Sequence, residues 1–350
     1  MSELQQHTPI ALIGAGPIGL ETAIQMNRSG LEYLHFEKGQ VAATIMAYPP
    51  GTIYFSSPER IAIAGIPIPN VSQTKATKEQ YIAYLRSVAE AFDLQIRNYE
   101  PVENIRQTDT GGFLLQTTTA CGTRTHTYTS DKVILAIGDM AFPRRLEIPG
   151  EQLSHVSHTL AEPHTYFRKK VLIVGGKNSA AEAALRCFRA GADVALSYRG
   201  DQLNDRSIKY WIYPELQGLI KRGKIESYFN SKPVAITPDT IQLQTTGHEA
   251  ETFSVEADFV LLLTGFQPDQ KLFRQLGVKL EGPERAPVYN ADTMETNVPG
   301  VYVAGTALAG EQKKYRLFIE NCHIHAQRIT HALLGKEPPP ADNPWDLPEN

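Results

Sequence analysis

Apolar and polar positions along this chain form one pattern that occurs twice. From Ile10 to Gly39 the residues read IALIGAGPIGLETAIQMNRSGLEYLHFEKG: an apolar strand, a glycine-rich turn, a helix to about Arg28, and a second strand that stops at Glu37. From Lys170 to Gly200 they read KVLIVGGKNSAAEAALRCFRAGADVALSYRG, again strand, turn, helix and a strand that ends at Arg199. Each stretch predicts a βαβ unit.

The segments between them complete an α/β alternation. Lys78 to Leu94 places Tyr81, Tyr84, Leu85, Val88, Ala91 and Phe92 at helical spacing, which predicts an amphipathic helix facing a core. IRNYEPVENIRQTD, GGFLLQTTTA and THTYTSDKVILAIGD predict strands joined by Gly-containing turns, the last running into Gly138. DFVLLLTG, ending at Gly265, and TNVPGVYVAG, ending at Gly305, predict two more strands that stop at a glycine, and a final helix is expected from Leu317 to Leu334. Gly39 to Asn70 is too apolar for a solvated linker and too broken for one helix. It reads either as a packed loop or as a cofactor wrap with Tyr48 and Phe55 as walls and Ser56 and Ser57 as donors. Prolines at Pro143 and Pro149 mark a domain boundary. The expected fold is α/β with two Rossmann-like domains, one inserted into the other. The first comprises 1–140 and 267–340, the inserted one 141–266, and 341–350 is expected to be a loose tail.

Composition narrows the class. A chain of 350 residues is long for a single core, and 42% hydrophobic with 21% charged residues is ordinary for a globular protein. The net charge of -4 gives no reason to expect nucleic acid or an anionic membrane as partner. No apolar run approaches the roughly 20 residues of a membrane helix, and MSELQQHT lacks a signal peptide's apolar region, so a cytoplasmic protein is expected. Cys121, Cys187 and Cys322 are widely spaced, which suggests neither a disulfide framework nor a metal site.

The glycine turns carry the chemistry. Gly14 permits the tight turn, Gly16 lets a pyrophosphate approach the backbone, and Gly19 lets the helix lie close to the sheet. Pro17 suits a first helical turn. Glu37 stands where a carboxylate takes ribose hydroxyls. A lone glycine motif is weak; here the strand, the helix and the acid accompany it. In the second unit, Gly175-Gly176-Lys177-Asn178-Ser179-Ala180 has Ala180 at the close-packing position and Lys177 in place of the middle glycine. Arg199 occupies the position of the acid and favours NADP over NAD, with Arg206 and Lys209 just beyond. Two such units imply two nucleotides, as in a flavoprotein reduced by a nicotinamide. FAD is expected at the first and NADPH at the second. The expected cofactor contacts also include Ile18, Lys38, Val102, Gly138, Gly265, Gly305 and Thr306. No catalytic residue stands out. His158, His164, His323 and His325 are proton-transfer candidates, each more simply read as structural.

These features resemble the two-dinucleotide-binding-domain flavoproteins of the thioredoxin-reductase-like branch. Within it, Tyr48-Pro49, Tyr54-Phe55-Ser56-Ser57, the GGKNSA turn, Ser207-Ile208-Lys209 before Trp211, and Phe318-Ile319-Glu320-Asn321 are similar to the bacillithiol disulfide reductases of the YpdA type. The resemblance runs from Ile10 to Leu334. It implies an NADPH-dependent FAD oxidoreductase that passes electrons to a small-molecule acceptor, a low-molecular-weight disulfide, and a homodimer. Two positions depart from it. Ile18 stands where the family has a cysteine, and Thr306 follows Gly305 where the classical family has an aspartate, so the ribityl contact is expected from a hydroxyl or the backbone. Two further readings compete: a flavin monooxygenase, because Ile148 to His158 loosely resembles its FxGxxxHxxxY signature, and a non-catalytic redox sensor.

Overall fold

The computed structural model describes residues 6–70, 73–119, 122, 124–247, 249–312 and 316–340; Cys121 and the tail 341–350 lie outside the described residues. The chain divides into two compact units, one of 1–47, 51–142 and 266–350 and the other of 48–50 and 143–265.

The first unit contains β1 (Gln6–Ile13), α1 (Pro17–Arg28), β2 (Leu34–Phe36), α2 (Lys78–Ala91), β3 (Ile96–Arg97), β4 (Val102–Gln107), β5 (Phe113–Thr118) and β6 (Thr125–Leu135). They form a sheet in the order β3-β2-β1-β6-β5-β4, joined at β6 by the strand Val301–Val303. β5 runs antiparallel along Thr125–Ser130, while Val301–Val303 runs parallel beside Val133–Leu135, so both occupy one edge of β6. The parallel strands end in register, with Ile13 opposite both Phe36 and Leu135, and Leu135 opposite Val303. Gly14, Glu37, Gly138 and Gly305 therefore leave the sheet at one edge, where ligands of parallel α/β sheets bind. The strands are buried on both faces: Leu12, Ile134, Leu135 and Val303 have no exposed surface.

Helix α2 starts from a capping box, with Thr77 Oγ1 accepting from the Gln80 N–H (3.2 Å) and Gln80 Oε1 from the Thr77 N–H (2.8 Å). It buries Tyr81, Tyr84, Leu85 and Val88; Ala91, expected on the same face, is exposed in the last turn. The last helix is shorter than expected, His323–Leu333 rather than Leu317 to Leu334. Side chains take the backbone groups that a helix would need. Gln312 Oε1 accepts from the N–H groups of Arg316 and Leu317, and Asn321 Oδ1 from that of Phe318. Between Gly39 and Asn70 only two single-turn helices form, Ala43–Met46 and Pro58–Ile61.

The second unit repeats the parallel arrangement with β7 (Lys170–Val174), α3 (Asn178–Arg189), β8 (Asp193–Tyr198), β9 (Glu226–Phe229) and β10 (Phe259–Leu262), in the sheet order β9-β8-β7-β10 with Val156–Ser157 beyond. Ser197 and Leu262 both lie opposite Val174, so Gly175, Arg199 and Gly265 emerge at one edge. A three-stranded antiparallel sheet of Ser231–Ile236, Thr240–Thr245 and Thr252–Glu256 packs Ile236, Ile241 and Leu243 against Leu172, Val260 and Leu262. Tyr48–Pro50, expected with the first domain, group with this unit, where Arg186 donates to the Pro50 carbonyl. Among the described residues no helix is long and apolar enough to cross a membrane.

Candidate cofactor sites

At the first turn the glycines separate by what their missing side chains would meet. A Cβ on Gly14 would lie 2.4 Å from the Ala136 carbonyl oxygen, and φ is +106°, a conformation that excludes most side chains. A Cβ on Gly19 would lie 2.0 Å from the Gly14 carbonyl oxygen. A Cβ on Gly16 would meet nothing within 4 Å. Gly14 and Gly19 thus serve the protein's own packing, whereas Gly16 leaves room that no neighbour among the described residues uses. Gly16 also caps α1 with no side-chain bond, and Pro17 follows, so no side chain of this cap takes the positive end of the helix. Room at Gly16 and an uncapped helix end fit a pyrophosphate.

Glu37 is buried just past β2 and stiffens the turn. Its Oε2 accepts from the Ala15 N–H (2.7 Å) and Oε1 from the Gly39 N–H (2.8 Å). A carboxylate offers about four lone-pair positions. Acceptor capacity therefore remains for sugar hydroxyls. Beneath the turn His35, whose sequence position gave no sign of a role, donates from Nε2 to the Gly14 carbonyl oxygen (2.9 Å). Burial pushes this imidazole down to about 4 although the Gly14 carbonyl acts in the other direction, so it is a neutral strut at physiological pH.

Ile18 is buried in the core of the unit. A Cβ on Gly305 would lie 3.4 Å from Ile18 Cβ, which places the isoleucine under the end of the last strand. The two cysteines among the described residues do not replace the missing thiol. Cys187 belongs to the second unit, and burial lifts its thiol to about 12. Cys322 has no exposed surface, and burial followed by the charges of Asp139, Glu21 and Glu320 holds its thiol far above the ordinary range.

Of the candidate histidines, His325 accepts from the Gly305 N–H at Nδ1 (3.2 Å), and burial, then Arg328 and His323, bring it down to about 4. It is not a proton donor near neutral pH. His323 is bound at Nδ1 to Glu21 Oε2 (2.6 Å) and at Nε2 to the Arg60 carbonyl oxygen (2.9 Å). His158 lies 3.4 Å from the buried Glu151, and His164 stacks on Phe167. Ser56, expected to face a cofactor, donates to Glu320 instead. Ser57 precedes the Pro58 turn without capping it. Lys38 sits over the Phe142 ring at 6.0 Å, and Val102 opens β4 opposite Thr117. Gly138 and Thr306 are neighbours: a Cβ on Gly138 would lie 3.8 Å from Thr306 Oγ1.

At the second turn, Gly175 has φ +154°, and a Cβ there would meet the Leu263 carbonyl oxygen at 2.6 Å and Ala180 Cβ at 2.9 Å. Ala180 is thus as large as the helix contact allows. Lys177 caps α3 without a side-chain bond. Asn178 Oδ1 accepts from the Lys209 N–H (2.8 Å), which ties the Ser207-Ile208-Lys209 segment to the helix start; Ser179 beside it is exposed. Lys177 is held below the ordinary lysine range by burial and by the charges of Arg144 and Arg199. Three cations therefore share the edge of this sheet. Arg144, absent from the sequence reading, is delivered by its backbone: its N–H donates to the Gly265 carbonyl oxygen (2.8 Å), and its carbonyl oxygen accepts from Thr264 Oγ1 (2.8 Å). A Cβ on Gly265 would meet nothing within 4 Å. Arg206 is exposed, its N–H bound to Asn204 Oδ1 (2.8 Å). A group of cations beside an uncapped helix fits a phosphate-bearing ligand.

Two sheets whose central strands run parallel, each with an uncapped helix behind a glycine turn, define a protein that holds two dinucleotides. Residues 11–305 match the pyridine nucleotide-disulphide oxidoreductase family, and the chain belongs to that family. It is an NADPH-dependent flavin oxidoreductase with FAD and NADPH as its cofactors. Over 326 residues it is 34% identical to the bacilliredoxin reductase Bdr of Bacillus subtilis, covering 93% of this chain and 97% of that one. The structure of bacillithiol disulfide reductase Bdr (YpdA) from Bacillus cereus superimposes with a TM-score of 0.88 at 32% identity, covering 94% of this chain and 99% of that one. A ferredoxin–NADP reductase of Ignicoccus hospitalis is 28% identical over 302 residues, 84% of this chain and 88% of its own.

Proposed function

We propose that this enzyme reduces a low-molecular-weight disulfide of the bacillithiol type, with FAD at the Gly14–Gly19 turn and NADPH at the Gly175–Ala180 turn. The observation that carries the acceptor is near full-length similarity, at 32% identity and a TM-score of 0.88, to a protein named bacillithiol disulfide reductase. Hydride from NADPH and one proton from water supply the two electrons and two protons that convert a disulfide into two thiols. Bound FAD supplies the carrier between them. The chain supplies the rest: Gly16 and α1 receive the pyrophosphate of FAD, Glu37 its ribose, Arg199 the 2'-phosphate of NADPH, and Lys177 with Arg144 the pyrophosphate. A homodimer in the cytoplasm belongs to the same reading, and sedimentation of the purified protein tests the first part.

Ile18 favours a second reading. Electrons normally pass from a flavin to a disulfide through a thiolate that forms a mixed disulfide. With isoleucine at that position, an acceptor that takes electrons directly, such as a ferredoxin, becomes the competitor, and the 28% identity to a ferredoxin–NADP reductase points the same way.

The deciding experiment is anaerobic. NADPH is expected to bleach the yellow protein, and bacillithiol disulfide to restore its colour within seconds. Reoxidation by ferredoxin but not by the disulfide refutes the first reading and establishes the second.

A further inference from the structure

The last strand of the first unit ends in Gly305 and Thr306, without the acid that the classical family carries after that glycine. A carboxylate reaches the same place from the neighbouring strand. Leu135 and Val303 are paired, so Gly138-Asp139 and Gly305-Thr306 leave parallel neighbours side by side. Both glycines adopt left-handed backbone conformations, φ +68° at Gly138 and +73° at Gly305, which turn the two following residues along the sheet edge. Gln312 Nε2 donates to Asp139 Oδ2 (2.8 Å), and Thr306 Oγ1 stands beside the adjoining Gly138, 3.8 Å from where a Cβ on that glycine would lie, so that its hydroxyl acts to lower the Asp139 carboxyl. Gln312 cannot swing away. Its amide also donates to the Leu317 carbonyl oxygen (3.0 Å) and accepts from the N–H groups of Arg316 (2.8 Å) and Leu317 (2.9 Å).

The carboxylate is therefore held by Gln312 with the Thr306 hydroxyl close by, and no lysine or arginine is among its partners in the described residues. Even with the Thr306 hydroxyl turned toward it, at least about half of its lone-pair positions stay unused. Burial raises the Asp139 carboxyl, while Gln312 and Thr306 act to lower it. An oriented carboxylate with spare acceptors at the cofactor edge suits a run of sugar-alcohol hydroxyls.

We infer that Asp139 accepts hydrogen bonds from the polyol chain of FAD, with Thr306 and Gln312 as the residues that position it. The inference rests on FAD occupying the Gly14–Gly19 turn. A backbone contact or the Thr306 hydroxyl, as read from the sequence, is then a supporting feature and not the main one.

The test uses the FAD-loaded enzyme, with the dissociation constant read from flavin fluorescence on dilution. Asp139→Asn is expected to raise that constant by about tenfold to a hundredfold, the worth of hydrogen bonds to a charged acceptor. The thermal midpoint of the FAD-free protein is expected to stay put. Adding Thr306→Asp to the Asn variant returns the acid to the last strand and is expected to recover most of the affinity. An unchanged constant in Asp139→Asn overturns the inference, as does a double variant no tighter than the single one. Gly16→Val separates this from failure of the FAD assignment. If FAD stays bound to Gly16→Val, the assignment itself is wrong; if Gly16→Val releases FAD while Asp139→Asn keeps it, only the role of Asp139 falls.

Discussion

Tyr198 lays its ring across Gly176. A Cβ added to the glycine would come within 2.2 Å of Tyr198 Cε2, and one added to Gly200 within 2.6 Å of Cε1. The first residue after Gly175 is thus small for the protein's own sake, to seat an aromatic ring at the end of β8. Gly176→Ala has to push the ring off, and a side chain can move where backbone cannot. NADPH binding is expected to weaken by about tenfold, equivalent to ~1.4 kcal/mol, with FAD content unchanged. Steady-state KM for NADPH beside the flavin absorbance of the variant checks both halves.

Arg199 and Arg144 are expected to separate by cofactor. Arg199 follows β8 at the sugar position, so Arg199→Ala should weaken NADPH by about tenfold to a hundredfold while NADH is little changed. Arg144 sits with Lys177 beside the helix start. Arg144→Ala should weaken NADPH and NADH alike. Equal effects of both substitutions on both nucleotides would contradict this division.

Gly19 and Gly16 differ in the same way within the first turn. Gly19→Ala drives a methyl into the Gly14 carbonyl and should destabilise the FAD-free protein by about 1–3 kcal/mol or more. Gly16→Val starts from a Cβ that meets nothing within 4 Å, and should leave that stability near wild type while releasing FAD. Denaturant midpoints of the two FAD-free variants, compared with their flavin content, decide it.

The pair of buried Glu21 and half-buried His323 gives a pH dependence. Burial alone would lower His323, but the Glu21 hydrogen bond and charge and the Arg60 carbonyl outweigh it, and the imidazole ends above its ordinary value. A folded-state value above the unfolded one of about 6.5 means the contribution is complete below that pH and fades as pH rises through the folded-state value. His323→Gln should therefore cost about 1–3 kcal/mol in mild acid, with a smaller loss in mild alkali. A gap between variant and wild-type unfolding temperatures that widens with pH would refute this.

The two glycine turns were readable because each is built from about thirty consecutive residues whose spacing is the structure. The last helix was misplaced by local chemistry: Gln312 and Asn321 occupy backbone groups that propensity alone assigns to a helix. Asp139 was beyond reach for another reason. Its significance comes from the pairing of Leu135 with Val303, a relation of strand register that no run of neighbouring residues encodes. Arg144 looked like part of a proline-marked boundary, and only its backbone bond to Gly265 sets it beside Lys177. Ser56 shows the converse, a residue whose type invited a ligand contact but whose hydroxyl is committed to Glu320.

The packing of Ile18 under Gly305 also limits how much reducing power one chain can store. An enzyme with a redox-active thiol pair next to its flavin can bank a second electron pair there. With a hydrocarbon in that position, and with Cys187 and Cys322 buried apart in separate units, the described residues offer no such reserve. Each molecule of NADPH must then be discharged before the next is accepted, and an anaerobic titration should end at one equivalent per chain.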